Sequence, residues 1–541
     1  MTPVTHRGLA LLLFMAGPAA AATDYWTYQY KSIDVTAAGS SVYAQQVARN
    51  ADRLGTALAQ ILGLKDDARL PTHIYVLPDE DITAVLGSSG SSNYDSSGYD
   101  ATVIASRGEG SGGSYWGAYF GYVGSVLAGE GGAARYPYWF RLGVPEVFAA
   151  TEFDHDRIKT GGISPAYALT VASGTLIPLR TFLAMQEQDP QLKSGALSEM
   201  YAAESWYLTR EILSESRYRN EFSHYFTLLR EGSSERAAFA ASFKVSYEDL
   251  DRMLRDDRSA RVHLFLLPSP VDTSPDAAPP RKLAPPEVQA RLALVNLKVG
   301  RRAEALQLAG GALRADPANE RALLVAAEAQ LEQGNYPASF AAVDELSRSA
   351  QLSPDAMAEG AAMLTVLASA VTGGDAALPV DAVTLLRFAQ HYYQAAIAAN
   401  SEDLRSWAGL AGLYGAQRDS AAARALLPEA SQALARHPGN VNLAYALAHM
   451  CAQTQQWDCA QQFAGSWREN AQNEANRTAA AAFESRLSAY RRRLASAAPA
   501  EASTPAPAEA STPPPAEAST PAPAEASTPP PAEPSGEPPR N

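Results

Sequence analysis

Hydrophobic and polar positions change their rhythm along this chain. "YWTYQYKSIDV", from Tyr25, is aromatic and β-branched and reads as a strand, and "SSVYAQQVARNADRLGTALAQIL" then spaces its apolar residues as a helix does. "THIYVLPDEDITAVLG" reads as a strand, a turn and a helix start, and "YDATVIAS" as another strand. From Tyr119 to about Arg261 the helical period dominates, so Thr23–Arg261 is expected to be an α+β unit with strands early and helices late. Residues 262–286 contain "PSPVDTSPDAAPPRKLAPP", a Pro- and Ser-rich linker expected to bury nothing.

Beyond the linker, 287–495 is alanine-rich and repetitive. Ala293, Gly300, Ala305, Ala312 and Pro317 form one unit, and small or turn residues return about 34 positions later at Ala327, Gly334 and Ser339. A later unit places Trp407, Leu410, Ala411 and Tyr414, and another Leu443, Ala446, Met450 and Trp457. Between them, 355–400 is helical but off-register, interrupted by "TGGDAALPVD". The segment resembles tetratricopeptide (TPR) repeats, whose helix hairpins need small residues where helices cross. That resemblance implies five or six hairpins stacked into a superhelix with a concave groove for peptides or proteins. From Pro499, "PAEASTPA" and "PAEASTPP" alternate with an eight-residue period. Proline at that density forms neither helix nor sheet, so 496–541 is expected to be a disordered, extended tail.

Composition narrows the function. A 541-residue chain exceeds one ordinary core, and a formal charge of -14 disfavours a nucleic-acid or anionic-membrane partner. Residues 1–22 carry Arg7, a short apolar run and small residues up to Ala22, the pattern of a signal peptide. The mature protein is therefore expected in the periplasm or outside the cell, without an integral membrane segment. Only Cys451 and Cys459 occur, and an oxidising compartment permits their disulfide.

The chemistry-bearing stretch is "YFGYVGSVLAGEGGAARYPYWFRLGVPEVFAA", Tyr119–Ala150. With "YAAESWYL" further on, it resembles the peptidase-MA-like, gluzincin-type metallopeptidase domains, over roughly Tyr25–Asp257. Its most specific part is Tyr136, Pro137, Trp139, Gly143, Glu146 and Phe148. In such families HExxH places two histidines on one helical face around Zn²⁺, the intervening Glu activates water, and the next helix supplies a third ligand. Here the resemblance maps Phe120 onto the first histidine, Gly121 onto the catalytic glutamate and Gly124 onto the second histidine. Leu142 replaces an acidic residue, and Glu146 alone retains a ligand type. One carboxylate does not hold a catalytic zinc. The resemblance thus implies the fold and argues against the activity: a pseudoenzyme with no cofactor, binding proteins or peptides of the cell envelope.

The alternative is an active metal-dependent peptidase with displaced ligands, for which Glu146, Asp154 and His155 are the candidate set. "EFDHD", Glu152–Asp156, is otherwise a surface acidic turn. "GEGSGG", Gly108–Gly113, matches a dinucleotide fingerprint formally, but no further βαβ units follow it. Ser125 and Ser205 lack the surroundings of an activated nucleophile.

Overall fold

The computed structural model describes residues 23–497, apart from 63–70, 87–92, 98–101, 108–115, 130–135, 163–164, 194, 215, 232, 257–264, 269–277, 350 and 472–473. The expected leader, the Gly108–Gly113 motif and the octapeptide tail lie outside the described residues.

A six-stranded sheet organises the N-terminal region. Its strands are β1 (Tyr25–Tyr30), β2 (Ile33–Ala38), β3 (Thr72–Leu77), β4 (Asn93–Ser97), β5 (Thr102–Arg107) and β9 (Arg281–Lys282), in the order β4-β5-β3-β2-β1-β9. β2, β3 and β5 run parallel, and the other pairings are antiparallel. The single strand expected from Tyr25 is in fact a hairpin: Tyr30 pairs with Ile33, and Lys31 makes the turn with φ 51°. No Gly or Asn marks that turn, so pattern alone runs through it.

Side chains alternate between the sheet faces, as the two-residue repeat of a strand requires. Tyr28, Tyr30, Ile33, Val35, Ile74, Val76 and Ile104 enter one core. That core is closed by α1 (Ser41–Leu62), whose Ala44, Val47, Ala48, Ala51, Leu54 and Leu58 form a helical stripe. Beneath the sheet lie α3 (Trp116–Gly129), α4 (Tyr138–Ala149), α5 (Pro165–Ser173), α6 (Leu179–Ala184), α7 (Ala196–Ser214), α8 (Ser216–Arg230), α9 (Glu235–Ser242) and α10 (Tyr247–Asp256). A small antiparallel sheet joins β6 (Glu152–Phe153), β7 (Arg157–Thr160) and β8 (Phe265–Pro268).

The opposite face of the large sheet presents Tyr25, Tyr75, Leu77, Val103 and Ala105. It is covered by α2 (Asp79–Leu86) and by the start of the helical array, through Leu283, Ala290, Leu294, Leu297 and Val325. The reading of 262–286 as a stretch that buries nothing is corrected. Phe265–Pro268 and Arg281–Lys282 are strands in two different sheets, and Leu283 is buried. Short pairings of two to four residues leave no period for the sequence to reveal.

The array consists of paired helices: α11 (Pro285–Lys298) with α12 (Arg302–Ala315), α13 (Glu320–Glu332) with α14 (Tyr336–Leu346), and α15 (Pro354–Gly373) with α16 (Ala382–Ala399). Two more pairs follow, α17 (Leu404–Gln417) with α18 (Ser420–Arg436) and α19 (Val441–Gln453) with α20 (Trp457–Asn470), before α21 (Glu474–Ala497). A left-handed residue sits in each turn within a pair: Gly300, Gly334, Gly374, Arg418 and Gln455. Ala293, Ala305, Ala312, Ala327 and Ala411 are wholly buried, and Trp407 and Tyr414 are buried beside them. Pro317 is exposed between α12 and α13. Cys451 and Cys459 are disulfide-bonded across the turn of the last pair, with Cα atoms 5.8 Å apart. Among the described residues, one helix, α15, is long and apolar enough by length and composition to cross a membrane. Half of its apolar stretch is buried, with Leu364 and Leu367 in the core of the array.

Candidate functional site

Two places gather chemistry. The first is the locus that the peptidase resemblance designates. Phe120, Gly121 and Gly124 all lie on α3, which packs on α4, the carrier of Glu146. Tyr119 fixes α3 from the other side by an edge-on contact with Phe153, ring centres 5.5 Å apart. A Cβ added to Gly124 would meet nothing within 4 Å, so packing does not demand glycine there. Gly143 is different: a Cβ would lie 2.2 Å from the Ser205 carbonyl oxygen and from Thr209 Oγ1, and only glycine lets α4 and α7 approach so closely.

Glu146 is half-buried and accepts a 2.7 Å hydrogen bond from the Tyr167 hydroxyl of α5. Burial pushes its carboxyl up to about 7, against the smaller opposing pull of the Tyr167 hydrogen bond. Burial, with the neighbouring Glu146 charge, raises Tyr167 in turn. Both hydroxyls considered as nucleophiles are spent on their own helices: Ser125 Oγ donates to the Tyr122 carbonyl at 2.8 Å, and Ser205 Oγ to the Tyr201 carbonyl at 2.7 Å.

The displaced ligand set Glu146, Asp154 and His155 is corrected. Asp154 and His155 are exposed in the β6–β7 turn, held there because Arg53 donates to the Asp154 and Arg157 carbonyls at 2.5 and 3.0 Å. Among the described residues, no three His, Cys, Asp or Glu side chains converge as a metal site would require. Sequence spacing brings 146, 154 and 155 close along the chain, but a helix end and a hairpin turn separate their side chains.

The second place was not legible in the sequence. A cleft of about 1130 Å³ opens between the end of the large sheet and the turns joining successive helix pairs. Asp34, His73 and Lys31 line it from the sheet side, and Arg291, Arg321 and Glu402 from the array. Arg291 Nη1 donates to Asp34 Oδ2 and to Thr36 Oγ1, each at 2.7 Å, and His73 Nδ1 lies 3.3 Å from Asp34. Burial pushes the Asp34 carboxyl up, but Arg291 and His73 outweigh it and hold Asp34 well below the usual carboxylate range. Arg321 Nη1 reaches both Glu359 oxygens, at 3.1 and 3.3 Å, while Arg405 pairs with Asp355 and Asp403. Farther along, Glu402 meets Arg436 and His437, each at 2.8 Å. Ion pairs therefore tie the sheet to the array and one helix pair to the next along one wall.

No family model matches the chain, and no curated protein does. Among solved structures it is similar to YrrB, a TPR protein with an unusual peptide-binding site, at 13% identity over 38% of this chain and 91% of that one (TM-score 0.28). TTC0263, a thermophilic TPR protein of Thermus thermophilus, matches at 19% identity over 37% of this chain and 98% of its own (TM-score 0.29). PilW, a widely conserved type IV pilus biogenesis factor, matches at 15% identity over 38% and 94% (TM-score 0.28). The pairing of successive helices and the left-handed turns define residues 285–497 as a solenoid of helix hairpins, joined to an α+β region.

Proposed function

We propose that this chain is an exported, non-catalytic binding protein: a peptidase-MA-like region without its zinc ligands, fused to a TPR solenoid that engages polypeptides of the cell envelope. The observation carrying this reading is the state of Glu146. The one retained ligand type is committed to Tyr167, and the helix that would supply its partners carries Phe120, Gly121 and Gly124 instead. A catalytic zinc needs three protein ligands and an oriented water, and this locus supplies one carboxylate. The solenoid and the charged cleft beside it supply surface for recognition rather than groups for bond breaking.

The test is to incubate the full chain with an unfolded protein substrate in the presence of added zinc. We expect no cleavage above a blank. Cleavage that disappears in Glu146→Gln and in the presence of a chelator overturns the reading.

A further inference from the structure

Cys451 and Cys459 are the two cysteines of the chain, and their bridge sits where the helix pairs end. Cys451 lies in the last turn of α19 and Cys459 in the first turn of α20, so the bond spans the turn that makes the last pair. That turn passes through Gln455 at φ 63°, where the first three pairs use Gly300, Gly334 and Gly374. A left-handed residue with a Cβ weakens such a turn. Arg418 makes the same concession one pair earlier, but there α17 and α18 lie between α16 and α19. In a stacked array each pair is stabilised by its neighbours, so the end opens most readily.

α20 meets α21 largely near the surface. Arg468 pairs with Glu484 at 2.6 Å, Arg491 with the 92% exposed Asp458 at 2.8 Å, and Trp457 packs on Tyr490 with ring centres 5.0 Å apart. Exposed ion pairs of this kind hold little. The buried part of the contact is Trp467 against Phe483, ring centres 5.9 Å apart. The covalent tie is thus placed where non-covalent support is thin. An aromatic cluster depends on all three helices. Tyr445 of α19, 45% exposed, stands edge-on to Trp467 of α20 at 4.9 Å, and His449 lies 4.3 Å from Tyr445 and 4.5 Å from Phe483 of α21, centre to centre. The two cysteines differ in access: Cys451 is wholly buried in the core of the array, whereas Cys459 is half-buried at its edge. A thiolate from solvent therefore meets Cys459 first.

We propose that the Cys451–Cys459 bridge is a redox latch on the end of the solenoid. Closed, it fixes α20 and the aromatic cluster; reduced, it lets α20 and α21 open locally while the rest of the chain stays folded. The reductant is a dithiol. One of its thiolates attacks Cys459 Sγ, the S–S bond breaks, and Cys451 leaves as a thiolate that takes up a proton. The second thiolate of the reductant then displaces Cys459 from the mixed disulfide. The dithiol ends as a disulfide, and two electrons and two protons end on the cysteines. This goes beyond the binding-protein reading and does not depend on it.

The experiment is amide hydrogen exchange of the full chain, read by mass spectrometry with the bridge intact and after dithiothreitol, with free thiols counted by alkylation. After reduction we expect α20 and residues 474–491 to exchange at least about tenfold faster, α11 to α14 to be unchanged, and reoxidation to restore the slow rates. Cys451→Ala/Cys459→Ala should exchange like the reduced protein whether or not dithiothreitol is present. Two free thiols with unchanged exchange, faster exchange throughout the chain, or a bridge that is reduced only in urea overturns the latch. So does a double variant that keeps the slow rates, or a loss that reoxidation does not reverse.

Discussion

Asp34 Oδ2 on β2 lies 2.7 Å from Nη1 of Arg291 on α11, although 257 residues separate them in the chain. This contact makes the helical array a structural part of the sheet region. Removing Arg291 leaves Asp34 partly buried with only His73 and the Thr27 hydroxyl, 3.0 Å away, to offset its charge. We expect Arg291→Met to cost about 3 kcal/mol, the low end for a broken buried pair because both side chains keep some exposure. Urea denaturation of both proteins measures it. The acidity of Asp34 adds a pH signature. Its folded-state value is depressed, so its stabilisation is full above the unfolded value of about 3.9 and is lost as pH falls below that. Wild type should lose stability in that acid window more steeply than Asp34→Asn/Arg291→Gln.

The covered sheet face gives a second expectation. A fragment ending at Leu267 lacks Leu283, Ala290, Leu294, Leu297 and Val325, which pack against Tyr75, Leu77 and Val103. With only Ile82 and Val85 of α2 left against it, much of that apolar face returns to water. The fragment should bind a hydrophobic dye and unfold without a sharp transition, whereas one extended to Leu346 should unfold cooperatively. A sharp, dye-free transition for the shorter fragment would contradict the packing.

Arg418 turns α17 into α18 with φ 54°, a conformation in which a Cβ is unfavourable. Its side chain is exposed. Arg418→Gly should therefore stabilise the array by about 0.5–1 kcal/mol, after the added freedom of glycine in the unfolded chain is set against the relief of strain. Gly300→Ala and Gly334→Ala should destabilise, each by about 1 kcal/mol, since both turns are left-handed. Thermal melts of the three variants check the opposite signs.

These turns also show what was legible. Gly300 and Gly334 stand out in the sequence because glycine answers a backbone requirement at a fixed repeat. At Arg418 and Gln455 the same requirement is met by residues that carry no such mark, so the later hairpins read as looser than they are. The strand at Arg281–Lys282 is invisible for another reason: two residues in a proline-rich stretch have no period. The pairing of Asp34 with Arg291 has no local signal at all, because only the fold brings β2 and α11 together. Glu146 could be singled out by its motif surroundings, but Tyr167, which engages it, could not.

Glu146 offers a pH test of its own. Its folded value of about 7 lies above the unfolded value of about 4.3, so the folded state holds the extra proton between them. The sign follows: stability contributed by this group is full below about pH 4 and falls as pH rises towards and through 7. Glu146→Gln keeps an acceptor for the Tyr167 hydroxyl and cannot ionise. Its melting temperature, measured against wild type from pH 5 to 8, should gain on wild type as pH rises. Parallel curves would mean that the carboxyl is not held in an apolar setting.

The most direct measurement is the zinc bound per chain after soaking and desalting, by elemental mass spectrometry, for wild type and for Phe120→His/Gly124→His. Histidines at 120 and 124, four residues apart, would share one face of α3, which packs on the helix carrying Glu146; under the proposed peptidase-like reading they would complete a three-ligand set with it. We expect wild type to retain close to none and the folded double variant close to one. Wild type retaining one zinc that Glu146→Gln removes, or a folded double variant that gains none, would contradict a peptidase-like locus emptied of its ligands.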